Sequence, residues 1–111
     1  MAYNQALVLR IRTILGERAG LIEKKMFGGV GFILHGNLAC GVLGDDLIVR
    51  VGTEKNDLAL AQPFSRPFSA PGGKPMAGWI LVSPEGWEKD QALLTWVEQG
   101  YEYAQSLPRK K

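Results

Sequence analysis

The stretch from Lys24 to Val42, "KKMFGGVGFILHGNLACGV", decides the fold, because its glycines can mark either a phosphate-cradling loop or the bends of a sheet. A Walker-type loop needs glycines that turn successive amides inward, followed by Lys and Ser or Thr at a helix start. Here Gly28, Gly29 and Gly31 run into Phe32-Ile33-Leu34, an apolar strand pattern. The dinucleotide fingerprint fails too, since its third glycine would fall on Leu34 and no helix follows. A second cluster, Gly72-Gly73-Lys74, meets Pro75, which has no amide to donate. The glycines therefore read as architecture: Gly28-Gly29 as a tight connection between strands, Gly31 as room for a bulky neighbour or a bulge.

Outward from this stretch, "VGFILH", "LACGVL" and "LIVRVG" are short β-like segments separated by Gly36-Asn37 and Gly44-Asp45-Asp46. Such punctuators suit primed hairpin turns, which require positive φ. A three-stranded antiparallel meander is expected, with a short strand before it around Glu23 to Phe27. Both faces of the meander are apolar: Val30, Phe32 and Leu34 oppose Gly31 and Ile33, and Leu38, Cys40 and Val42 oppose Ala39, Gly41 and Leu43. A sheet with one wet side alternates apolar with polar residues. Either the helices divide between the two faces, or a second subunit covers one of them.

The flanks supply the helices. Leu7, Ile11, Ile14 and Leu15 form one stripe of a helix from Asn4 to about Arg18 or Ala19, closed by Gly20. Thr53 is placed to cap a short helix from Glu54 to about Ala61, ended by Pro63. "PFSRPFSAPGGKPMAG" reads as irregular or at most an edge strand, and "WILVS" as a strand. Ser83-Pro84-Glu85 starts a last helix running to about Ser106, with Trp87, Leu94, Val97, Tyr101 and Ala104 in line and Leu93 and Trp96 widening the stripe. The class is α+β: helix, antiparallel β-meander, short helix, further strands, long C-terminal helix. One domain is expected over residues 1–111, with its core at about 4–107 and a basic tail at 108–111.

The chain has 111 residues, 46% hydrophobic and 22% charged, the balance of a globular protein. Its 13 Lys plus Arg against 11 Asp plus Glu leave only +2, so no large footprint for nucleic acid is visible. Neither a signal peptide nor an apolar run long enough to cross a bilayer is evident. Cys40 is the single cysteine, which fits a reducing compartment and a cytoplasmic location.

Candidate chemistry is sparse. His35 and the Asp45-Asp46 pair fall at turns on opposite ends of the middle strand and do not make a metal site, and Cys40 lacks a neighbouring base along the chain. Arg50 interrupts an otherwise apolar strand, so its guanidinium needs an acceptor. That acceptor is either internal, such as Glu54 or a backbone carbonyl, or an anionic ligand. Lys25, Arg66 and Lys74 flank loops that could approach the same edge, giving a candidate ligand- or partner-binding patch with Arg50; the competing reading is a solvated rim. Trp79, Trp87 and Trp96 fall on apolar stripes and read as packing, with Met26 and Met76 as gap-fillers.

The MFGG segment (Met26, Phe27, Gly28, Gly29, with Gly31 beyond), the strand ending Arg50-Val51-Gly52, and the cluster Pro75, Met76, Gly78 and Trp79 together resemble the N-terminal domain of the TfoX/Sxy family of bacterial competence regulators. The likeness spans about residues 4–107. It implies an α+β fold similar to type III secretion chaperones, and a role in transcriptional control, where full-length members act alongside the cyclic-AMP receptor protein. It offers no catalytic residues. The chain ends where the family's C-terminal domain would begin, so a stand-alone version of the N-terminal domain is expected. The expected function is a non-enzymatic regulatory or protein-interaction domain, without cofactor or metal. Its partner would be a protein, possibly a second copy of itself, and not nucleic acid or membrane. The alternative is a small anionic-ligand binder or an enzyme using the Arg50 region.

Overall fold

A computed structural model describes residues 3–26, 28–69 and 72–109. Asn4 opens helix α1 (Gln5–Leu15), its side-chain oxygen accepting the Leu7 N–H at 2.9 Å. The helix stops at Gly16, short of the expected Arg18, because Gly16 takes φ +58° and donates its N–H to Arg12. Gly20 serves another element: a Cβ there would lie 1.9 Å from the His35 ring, so this glycine is the seat on which that imidazole rests.

Six strands follow: β1 (Leu21–Met26), β2 (Gly29–Leu34), β3 (Asn37–Leu43), β4 (Asp46–Arg50), β5 (Ser65–Ser69) and β6 (Pro75–Val82). They form one antiparallel sheet in the order β1-β2-β3-β4-β6-β5. The expected three-stranded meander is thus four-stranded, with β1 a full member. The β2–β3 turn is His35-Gly36, both at positive φ, one residue earlier than the expected Gly36-Asn37. Asn37 instead begins β3, buried, and donates from its amide to the Pro108 carbonyl at 2.9 Å.

Between β4 and β5 the chain makes a 3-10 turn, Thr53–Lys55, and a five-residue helix α2 (Asn56–Leu60). Thr53 does not cap through its side chain. β5 is an ordered edge strand in which Pro67, unable to donate to a ladder, is tolerated. The final helix is two: α3 (Pro84–Trp87) and α4 (Asp90–Ser106), broken where Lys89 turns extended. Ser83 makes no side-chain cap; its hydroxyl accepts from Arg66. Leu94, expected on the buried stripe, is exposed, and Gly100 takes a buried place.

Every helix lies on one face of the sheet. Leu7, Ile11 and Leu15 of α1, Trp87 of α3 and Leu93, Trp96 and Val97 of α4 join Val30, Phe32, Val42, Leu47, Val49, Ile80 and Val82 in one core. Two ion pairs tie α1 and its following turn to the C-terminal helices: Arg10 to Asp90 at 2.9 Å, and Arg18 to Glu98 through two bonds of 3.0 and 2.9 Å. The sheet's other face carries a separate apolar cluster with no helix over it.

Two predictions follow from this packing. A Cβ at Gly100 would sit 2.2 Å from the Ala39 carbonyl oxygen, a backbone atom that cannot swing aside. Gly100→Ala should therefore cost about 1–3 kcal/mol and lower Tm by about 5–15 °C in thermal denaturation followed by circular dichroism. Hydrogen bonding to Arg18 holds the Glu98 carboxyl below its ordinary 4.5, so its contribution is present above that value and lost as pH falls through the lower folded value. Glu98→Gln should destabilise at pH 7 by up to about 1 kcal/mol, given solvent screening, and the gap to wild type should close in strongly acidic buffer.

Candidate functional site

The open face is built by strand alternation. Register places Met26, Leu43 and Asp46 in one row across it and Lys24, Gly31, Gly41, Ile48, Leu81 and Arg66 in the next; beyond these, Ile22 pairs with Ile33 and Ile33 with Leu38 past the β2–β3 irregularity, and Arg50 pairs with Trp79. Leu38 and Ile48 are only 5% and 3% exposed although no helix covers them. The cause is the glycine lane at the centre. A Cβ on Gly31 would meet Met26 Sδ at 2.3 Å and Leu38 Cδ1 at 3.0 Å, and one on Gly41 would meet Ile48 Cγ2 at 3.1 Å. At Gly31 neighbouring side chains occupy the space that a side chain would fill, and at Gly41 the Val30 carbonyl oxygen, 2.4 Å from the Cβ position, takes it first. Phe68 then stacks on Trp79, with ring centroids 6.0 Å apart. Around this small centre Met26, Ile33, Leu43, Met76, Trp79 and Leu81 remain half-exposed, and Ile22 is 58% exposed.

Arg50 finds neither Glu54 nor a carbonyl. Its guanidinium lies over the Trp79 ring at 5.2 Å and the Tyr103 ring at 5.5 Å, and it has no ion pair or hydrogen bond among the described residues. Cation–π contact supplies what a carboxylate was expected to give. The adjoining hollow, of about 360 Å³, is bordered by Glu54 and Glu102 against a single Lys55, an acidic balance that suits an anion poorly.

The four cations proposed for one patch are not brought together. Lys25 lies on β1, paired with Val30, and points to the helix side. Arg66 lies on β5 at the opposite edge of the sheet, about 24 Å away over five strand spacings, and is engaged by Asp46 and Ser83. Lys74 precedes β6 at the end of the sheet where Arg50 sits. Only Arg50 and Lys74 share an end; on the open face Arg50 is accompanied by Arg66, which Asp46 engages, and by Lys24, which sequence reading passed over.

The sequence motifs prove to be two halves of one junction. Val51 and Gly52 both donate N–H groups to the Gly78 carbonyl, at 2.7 and 3.2 Å, and the Gly78 N–H is accepted by Asn56 Oδ1 at 2.8 Å. A Cβ on Gly78, whose φ is +86°, would lie 2.7 Å from the Gly52 carbonyl carbon. Arg50 on Trp79 closes the same contact. Gly28, at φ +78°, makes the β1–β2 turn, and Gly29 begins β2 with its Cα against the Val42 carbonyl. Phe27 falls outside the described residues.

Comparison with known families matches the TfoX N-terminal domain over residues 13–104. The chain belongs to the TfoX N-terminal domain family. No curated protein and no solved structure matches it. The matched span of this TfoX N-terminal domain holds all six strands and most of α4, and with them the turns and close approaches just described.

A second concavity went unnoticed in the sequence. A groove of about 750 Å³ runs between α2 and α4, floored by Ala59 and Trp96, with Leu58 and Phe64 on its wall and Gln62 and Gln99 on its rim. Phe64 is 54% exposed at φ +67°, a conformation rare for an aromatic residue. Its signal in the sequence was an aromatic residue directly after the helix-ending proline.

No group of three potential metal ligands occurs among the described residues, and no described helix is long and apolar enough to cross a membrane. Cys40 is fully buried, and burial pushes its thiol up to about 12. A thiol-reactive disulfide reagent at pH 8 should therefore modify native protein only as fast as it opens, with prompt stoichiometric reaction in denaturant. Rapid labelling of the folded chain would contradict this burial.

Proposed function

We propose that this TfoX N-terminal domain is a cytoplasmic, non-enzymatic regulatory module that works by holding another protein on its open sheet face. One observation carries the reading: all the helices cover one side of a sheet that is apolar on both. Six half-exposed large hydrophobics and Ile22 on one continuous surface are what an interaction site presents, whereas scattered apolar residues mean little. The family's association with transcriptional control supports a regulatory output. The anionic-ligand alternative draws no support from the hollow beside Arg50, whose carboxylates outnumber its ammonium group.

The test uses two exposed or half-exposed positions on the open face, Ile22→Glu and Leu43→Glu. Both variants should melt within a few degrees of wild type, since neither side chain is in the helix-side core. Affinity purification from the source organism should recover a reproducible partner with wild type and lose it with each variant. Equal recovery by the variants, or no partner for a strictly monomeric wild type in light scattering, would remove the proposal.

A further inference from the structure

We infer that the occupant of the open face is an acidic segment of another protein, carrying apolar residues among its Asp and Glu, and not a second copy of this chain. This rests on the docking role given above to the face. The argument is one of charge complementarity. The ionisable side chains that register places there are Lys24, Asp46, Arg50 and Arg66. Asp46 is held by Arg66. Lys24 and Arg50 have no ion pair or hydrogen bond among the described residues. Glu23, the acid nearest to Lys24 along β1, stands on the helix side and is bound by Arg12 at 2.7 Å. On the open face itself the apolar field thus meets unmatched positive charge, while the carboxylates nearest Arg50, Glu54 and Glu102, border the hollow beside Tyr103.

Arg50 is the more telling of the two cations. Trp79 and Tyr103 flank its guanidinium, their ring centroids 5.2 and 5.5 Å from Cζ, and its N–H groups have no acceptor among the described residues. A guanidinium held in this way is pre-organised for a bidentate carboxylate. The half-buried setting strengthens that pairing relative to open water.

The same features disfavour other occupants. A two-fold contact sets identical patches against each other, so Lys24 and Arg50 would face a surface whose only carboxylate, Asp46, is already engaged. Like-charge juxtaposition across an interface is costly. A single-stranded nucleic acid needs free rings for stacking, yet Phe68 is buried and the Trp79 ring is engaged by Phe68 and Arg50. A lipid surface takes protruding apolar side chains, and of the described large hydrophobics on this face Ile22 alone is mostly exposed.

Panning a random peptide library on the full chain tests the inference without presuming a sequence. Enriched peptides should combine Asp or Glu with large apolar residues, carry net negative charge, and bind less tightly as salt is raised. A synthetic copy of an enriched peptide should bind Arg50→Gln at least about tenfold more weakly, with a smaller loss for the exposed Lys24→Gln; Lys24→Gln should keep the wild-type melting temperature, and Arg50→Gln, which also loses its contacts with Trp79 and Tyr103, should remain folded at the assay temperature by circular dichroism. Enrichment of neutral or basic peptides that still lose binding to Leu43→Glu would overturn the acidic occupant while leaving the docking face intact. Peptides indifferent to Ile22→Glu and Leu43→Glu, or no enrichment at all, would overturn both readings. A dimer in light scattering that Leu43→Glu dissolves would assign the face to a second copy. Arg50-dependent binding of an oligothymidylate or of phosphatidylserine vesicles, with none of acidic peptides, would assign it to nucleic acid or membrane. Either result ends the inference.

Discussion

One layer of helices must serve a sheet with two apolar faces, and the remainder of the structure follows from how the uncovered face limits its contact with water. Glycine within strands ordinarily weakens them by removing packing and adding chain entropy. Here Gly31 and Gly41 sit side by side in the ladder; the absent side chain at 31 leaves its space to Met26 and Leu38, and the one at 41 to the Val30 carbonyl with Ile48 beside it. Phe68 and Trp79 close over one end. A miniature second core results, sealed at its centre and open at its margins. The helix-side core needs no such device, because α1, α3 and α4 bring Leu7, Ile11, Trp87, Leu93 and Val97 to it.

The same economy shapes the junction between β4 and β6. Arg50, Val51 and Gly52 meet Gly78 and Trp79 through two backbone bonds, a near-contact of two glycines and a ring under a guanidinium. The residues on which the sequence resemblance rested at this end of the sheet therefore describe how two strands are fastened, and say little of what the face holds. Strand positions such as Ile22 and Lys24 on β1 and Met76 on β6 lie outside that fastening.

Much of this was legible. Strand alternation announced the two apolar faces, and hairpin chemistry gave the meander. What escaped depended on contacts between distant residues. Gly20 resembled a helix cap, but its conformation answers to His35, which only the turn beyond β2 delivers. Thr53 and Ser83 looked like caps, and the helices begin without them because a 3-10 turn and Arg66 take those places. Lys25 and Arg66 seemed close because loops were assumed to converge; the strand order sends them to opposite edges. Arg50 was singled out correctly as an interruption, yet its partners are aromatic residues on another strand and on α4, which no local pattern could name.

The strand order also bears on assembly of the chain. β1 to β4 are joined by successive hairpins, so each pairing closes only a short loop. The helix layer has the opposite character: Arg10 and Arg18, near one end of the sequence, find Glu88, Asp90 and Glu98 near the other. Loop-closure entropy delays such long-range contacts. On a ribosome the meander can zip while the chain is still growing, but its helix side has only α1 to cover it until α3 and α4 emerge, and that interval is when neighbouring nascent chains most threaten to adhere.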